Sequence, residues 1–230
     1  MRAFVTTREG GVSSGEHASM NLGLSSGDSP DNVARNRAIV RALLPSDPVW
    51  LAQVHGREVA RLETVSPDGR PRADAAVTST PGKVAVVLTA DCMPVFFADR
   101  AGAHVGVAHA GWRGLAAGVL ENTVRTLGVP ADEVIAWMGP AIGPGAFEVG
   151  PEVREAFLKE EPAAERAFAQ GKPGKYMADL YELARMRLAR AGVTQVSGGG
   201  FCTREEPERF FSYRRAPRSG RMGAFIWISG

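Results

Sequence analysis

The chain has 230 residues, 44% hydrophobic and 23% charged, with a formal net charge of +2, the proportions of a soluble globular protein that can bury a sizeable core. The near-neutral balance argues against bulk attraction to nucleic acid, and no apolar run approaches the roughly 20 residues needed to span a bilayer. Two cysteines, Cys92 and Cys202, make no disulfide framework, and the N-terminus has no apolar leader core, so a reducing cytoplasm is the expected setting.

In chain order, Ala3–Thr7 reads as a strand, and a Gly- and Ser-rich loop of unusual length follows from Arg8 to Gly27; such loops are often functional. Asp28 or Ser29 as cap, Pro30 at the first position and Asp31 in the first turn predict a helix to about Leu44, with Val33, Val40, Leu43 and Leu44 inward. Short strands are expected at Val49–Val54, Glu58–Glu63, Ala75–Thr78 and Val84–Leu88, separated by turns at Pro67-Asp68-Gly69 and Pro81-Gly82. The last of these is apolar without alternation, which implies cover on both faces. Pro94–Ala98 and His104–Ala108 form a hairpin, Leu115–Leu127 a helix closed by Gly128, and Val134–Met138 a buried strand. Helices are expected at Pro151–Phe168 and Asp179–Ala191, and strands at Val193–Val196, Phe210–Tyr213 and Met222–Ile228. The mixed order favours α+β with mixed sheets over a doubly wound fold, in a single domain spanning 1–230.

Three residues carry the chemistry. His55 lies in Gln53-Val54-His55-Gly56, Cys92 in Ala90-Asp91-Cys92-Met93-Pro94, and His109 in His109-Ala110-Gly111-Trp112-Arg113-Gly114. Two imidazoles and a thiolate suit a zinc-like ion, and three protein ligands leave a fourth position for water or substrate. Each lies at an expected strand-to-loop edge, a rigid place to hang a ligand. Asp91 could orient a histidine or help activate a water. Taken singly, a cysteine in an apolar run is ordinarily a small buried hydrophobe; the local context sets these three apart from His17 and His104.

These motifs, with Gly139-Pro140-Ala141-Ile142-Gly143 and Phe210-Phe211-Ser212-Tyr213-Arg214-Arg215 in the same order, are similar to the bacterial family variously named laccase-domain or polyphenol oxidase proteins, purine nucleoside phosphorylases and peptidoglycan editing factors. The opening Thr6-Thr7-Arg8-Glu9-Gly10-Gly11-Val12-Ser13 and the stretch Asn21-Leu22-Gly23 match as well. The resemblance implies that His55, Cys92 and His109 hold zinc or copper in the catalytic centre. It also implies a four-layer α/β/β/α sandwich. Gly145-Ala146 stands where some members carry cysteine, a departure outside the ligand set.

The family labels imply different chemistries. A multicopper oxidase needs a histidine-rich trinuclear cluster, and this chain has four histidines. A single His–Cys–His copper, with Met93 as weak axial ligand, could carry electrons but not reduce dioxygen to water alone. Zinc suits adenosine deamination. Phosphorolysis of adenosine, inosine or S-methyl-5'-thioadenosine needs an anion site, which the arginine-rich run Tyr213–Arg221, and above all Arg214, or Arg113 beside a helix start could supply. Amide hydrolysis of a UDP-MurNAc-L-Ser precursor and metal-free Cys92 catalysis are alternatives, as is a non-catalytic metal- or nucleoside-binding module. The expectation is therefore a monomeric zinc-dependent purine nucleoside phosphorylase with adenosine deaminase activity, taking nucleoside and phosphate and no nucleic acid or membrane. Arg8, Asn21, Gln53, Arg113 and Arg214 are its candidate substrate contacts, although for Asn21 and Gln53 loop hydrogen bonding is the blander account. Cys202 is expected to be packed.

Overall fold

A computed structural model describes residues 1–66 and 68–230, so the Pro67 of the expected Pro67-Asp68-Gly69 turn lies outside the described residues. The strands are β1 (Arg2–Val5), β2 (Pro48–Val49), β3 (Val59–Arg61), β4 (Ala75–Thr78), β5 (Val84–Thr89), β6 (Met93–Asp99), β7 (Val105–Ala110), β8 (Val134–Met138), β9 (Glu148–Val149), β10 (Phe168–Gln170), β11 (Tyr176–Ala178), β12 (Gln195–Gly198) and β13 (Met222–Trp227). The α-helices are α1 (Pro30–Arg41), α2 (Trp112–Ala117), α3 (Val119–Leu127), α4 (Pro151–Leu158) and α5 (Leu180–Arg190).

One sheet has the order β1-β13-β5-β2, a second β12-β8-β6-β7-β4-β3, and a small third β10-β11-β9. The first two mix parallel and antiparallel pairs, as expected for an α+β fold. Side-chain alternation builds the layers. On β5 and β13, Val84, Val86, Phe225 and Trp227 face α1 and pack with Val40 and Leu44. Their neighbours Ala85, Val87, Ala224 and Ile226 face the second sheet, meeting Ala76, Phe96, Ala98, Val105 and Val107. On the far face of that sheet Ala75, Val77, Val95, Phe97, Ala108 and Ala136 meet Leu115, Leu120, Val124, Leu183 and Leu188 of the remaining helices. The stacking is α/β/β/α, and β5 is covered on both faces because it lies between two apolar layers.

Several expected elements differ. Leu43 is 67% exposed, not inward, because α1 ends at Arg41. The expected helix at Leu115–Leu127 starts at Trp112 and breaks at Gly118, whose φ of +92° suits glycine. Pro162 helps to end the long fourth helix early, and Pro162–Ala167 forms a 3-10 turn. The strand expected at Val49–Val54 stops at Val49; beyond it the Gln53 amide bonds both the N–H and C=O of Leu88 at 2.7 and 2.9 Å, replacing the ladder with a side chain. Phe210–Tyr213 is not a strand. Phe210 and Phe211 anchor a loop in a small core with Ala90 and Met222, so the apolar run reflects burial alone.

Candidate metal centre

Strand register brings the three residues together. Met93 pairs with Ala110 across β6 and β7, so Cys92, just before β6, lies beside Gly111. On the other side of β7, Ala75 pairs with Ala108, which sets Asp74 against His109; the His109 N–H donates to the Asp74 carbonyl at 2.7 Å. The ligand atoms of His55, Cys92 and His109 all lie within 4.8 Å of one another, and the two imidazole centroids are 4.8 Å apart at 71°. His109 is buried, Cys92 half-buried and His55 exposed, so the cluster opens to solvent on the His55 side. His109 is the penultimate residue of β7, inside the strand and not beyond its end as the sequence suggested.

The His55 loop is held by a carboxylate. Asp74, fully buried, accepts the N–H groups of Val54, His55 and Gly56 at 3.1, 2.9 and 2.7 Å and the Nδ1 of His109 at 2.9 Å. The strained His55 backbone, at φ +59°, is what lets three successive N–H groups converge on one acid. With Nδ1 of His109 committed to Asp74, its Nε2 is left for the cluster. Sequence reasoning gave this orienting role to Asp91. The Asp91 carboxylate instead accepts from Thr203 Oγ1 at 2.6 Å and from the Arg214 N–H at 2.7 Å, tying two C-terminal loops to the strand that delivers Cys92. Asp74 was legible only as an acid opening an apolar strand, Asp74-Ala75-Ala76-Val77, where an unpartnered carboxylate would be costly.

Electrostatics follow the geometry. Burial pushes the Cys92 thiol up, but the charge and hydrogen bonds of His109, with those of His55, outweigh it and bring it down to about 6. Burial likewise disfavours a charged His109, yet the Cys92 thiolate and the Asp74 carboxylate raise it to about 9. Burial also pushes Asp74 up, but its hydrogen bonds hold it below the usual carboxylate range. A ready thiolate between two imidazoles is a donor set matched to zinc or copper. A small cradle completes the fit: a Cβ on Gly111 would lie 2.7 Å from Cys92 Sγ and 3.2 Å from His55 Cδ2.

The remaining candidates divide. Asn21 is wholly buried, its amide spent on Ser26, Asp28, Gly23 and the Arg221 N–H, and Gln53 is spent on Leu88. The Arg8 guanidinium bonds the carbonyls of Ala18 and Pro207, both at 2.8 Å. These three residues build loops. Arg113 is exposed and lies over the Trp112 ring; Arg214 is exposed, with one bond to the Glu148 carbonyl. Arg221, passed over as a single residue in the sequence, carries a partly buried guanidinium that burial pushes below its ordinary value, against the opposing charges of Asp91 and Cys92. Met93 packs in the apolar core beneath the helices. His17 bonds the Ser26 carbonyl and His104 bonds Asp99. Among the described residues, His55–Cys92–His109 is the one group of three or more histidine, cysteine or acidic side chains placed to share an ion. Cavities of about 670, 430 and 380 Å³ lie elsewhere; the donor chemistry, not cavity size, singles out the cluster.

The sequence matches, over residues 2–229, the family described as multi-copper polyphenol oxidoreductase laccase. The chain belongs to that family. Among its relatives, the purine nucleoside phosphorylase YfiH of Escherichia coli is 55% identical over 98% of this chain and 93% of its own length. A Pseudomonas aeruginosa protein, also named purine nucleoside phosphorylase, is 52% identical over 99% and 93%. Of solved structures, a Neisseria meningitidis protein superposes with a TM-score of 0.95 at 49% identity, covering 99% of this chain and 94% of that one. YlmD from Geobacillus stearothermophilus superposes at 0.91 with 32% identity, covering 99% and 92%. The family description speaks of several coppers; among the described residues this laccase-family chain assembles ligands for one ion.

Proposed function

We propose that this chain is a zinc-dependent purine nucleoside phosphorylase that acts on adenosine, inosine and S-methyl-5'-thioadenosine and also deaminates adenosine. The observation that carries the reading is the convergence of His55, Cys92 and His109 at one solvent-open point, in a chain whose relatives bear the phosphorylase name. Zinc held by these side chains supplies Lewis acidity; copper, which outcompetes zinc at most nitrogen and sulfur sites, is the alternative ion. The rest falls to the chain's own residues. Asp74 fixes His109 and the His55 loop, so the donors need no rearrangement when a substrate arrives. Exposed Arg113 and Arg214 offer guanidinium forks to phosphate, and the Tyr213 ring, 52% exposed, offers a face on which a purine can stack.

The proposal takes the 230 residues as one catalytic domain, monomeric and cytoplasmic. No helix of the described residues is long and apolar enough to cross a membrane. The test is turnover of adenosine by metal-replete protein with and without inorganic phosphate, beside a UDP-MurNAc-L-Ser substrate. Phosphate-dependent release of adenine supports the proposal. Amide hydrolysis without adenosine turnover favours the precursor-editing alternative and rejects it.

A further inference from the structure

A cavity of about 670 Å³ lies on the helical side of the six-stranded sheet, where the end of α2, α3 and the end of α5 meet. Four arginines and two glutamates line it: Arg57, Arg125, Arg187, Arg190, Glu121 and Glu160. Arg187 is buried and committed. It pairs with Glu121 at 3.0 Å and donates to the carbonyls of Leu115 and Ala116, closing the last turn of α2. Arg190 stands 4.0 Å from Glu160. Arg57 and Arg125 meet no carboxylate at ion-pair distance among the described residues; Arg125 reaches the Asn122 side-chain oxygen at 2.7 Å. Two positive charges in one concavity are therefore uncompensated. Arg125 and Arg190 lie in the last turns of their helices, where a cation is favoured by the helix dipole. That accounts for a basic residue at each position. It does not account for both turning, with Arg57 from a separate segment, toward a single cavity.

We propose that this cavity binds a phosphorylated small molecule of nucleotide size, at a site separate from the metal centre. Guanidinium groups match phosphate oxygens in geometry, and the volume falls in the range of roughly 300–1,000 Å³ typical of small-molecule sites. The charged lining selects an anion over an apolar ligand. The cavity also touches the metal loop: Arg57 follows His55-Gly56, and its carbonyl accepts from Asn122 Nδ2 at 3.1 Å. A ligand that engages Arg57 thus restrains the segment that carries His55. The inference stands apart from the proposed activity, because none of its residues contributes to the His–Cys–His cluster.

Isothermal titration with AMP, inorganic phosphate and adenosine tests it, on wild type, Cys92→Ala, Arg125→Glu and Arg190→Gln. Both arginines are exposed, so their variants should fold, which a thermal melt checks. AMP is expected to bind wild type and Cys92→Ala alike and to weaken at raised salt. Affinity should fall roughly tenfold or more in Arg125→Glu, with a smaller loss in Arg190→Gln. Phosphate should compete with AMP, and adenosine should not. AMP binding that disappears in Cys92→Ala, that is unchanged in both arginine variants, or that never saturates in wild type overturns the proposal. Loss of the Arg125 effect leaves the metal centre untouched, and failure of the metal centre leaves this cavity untouched, so the two failures are distinguishable.

Discussion

Asp74 and His109 are joined twice: side chain to side chain at 2.9 Å and carbonyl to N–H at 2.7 Å. The same carboxylate takes three N–H groups from the loop that carries His55. One buried acid, just before β4, therefore sets both histidines of the cluster, His109 on the neighbouring β7 and His55 in the loop ahead of the other neighbour, β3.

Asp74→Asn keeps the shape but replaces an acceptor-only oxygen with an amide nitrogen among donors. Metal affinity, read by competition with a chromophoric chelator, should fall about 10- to 100-fold. Thermal stability should drop as well, because buried donors lose their partner. Unchanged metal affinity would show that Asp74 has no part in orienting the ligands.

Gly111 has an ordinary backbone, at φ −72°, so alanine is not strained there. Its methyl would nonetheless lie 2.7 Å from Cys92 Sγ. Gly111→Ala should lose metal and turnover while its melting temperature stays close to that of a metal-free wild type. Elemental analysis beside calorimetry checks both halves.

Glu63 gives a pH signature remote from the cluster. Burial pushes its carboxyl up, but hydrogen bonds from Thr78, Ser79 and Thr80 outweigh this and hold it at about 2, below an ordinary value of 4.5. A carboxylate depressed in the folded state contributes stability above its unfolded pKa and loses it as pH falls through the folded one. Glu63→Gln should therefore melt below wild type at pH 7, and the gap should close between about pH 4.5 and 2. A gap that persists below that window would place the effect in packing instead of charge.

Phe97 separates folding from chemistry. It is 1% exposed in the core beneath the helices, and Phe97→Ala should cost about 3–5 kcal/mol in denaturant unfolding. At low temperature the folded fraction should still bind metal with wild-type stoichiometry.

Much of the site was legible because its residue types are chemically unusual in their surroundings. His55, Cys92 and His109 stood out as donors set in Gly-rich or apolar context, and the structure brings all three together. Strands with strong apolar runs, such as β4, β5 and β8, were found to within a residue of their ends. Asp74 was missed because its role arises from strand register, which places it against His109 through pairing that a single sequence does not display. Asn21 and Gln53, candidate contacts with loop hydrogen bonding as the blander account, follow the blander one: the Asn21 amide bonds Ser26, Asp28, Gly23 and Arg221, and the Gln53 amide bonds both backbone groups of Leu88. Gly118 split a helix that periodicity alone would continue. Phe210 and Phe211 imitated a strand because burial, and not pairing, selects their apolar character.

The central claim is that His55, Cys92 and His109 act as one ion site on which activity depends. The most direct measurement is elemental analysis of the purified protein and of Cys92→Ala, with adenosine turnover followed on the same samples. The account predicts about one zinc per wild-type chain, and loss of both metal and turnover in Cys92→Ala at unchanged fold. Stoichiometric metal retained in that variant, or wild-type turnover by it, would contradict the account.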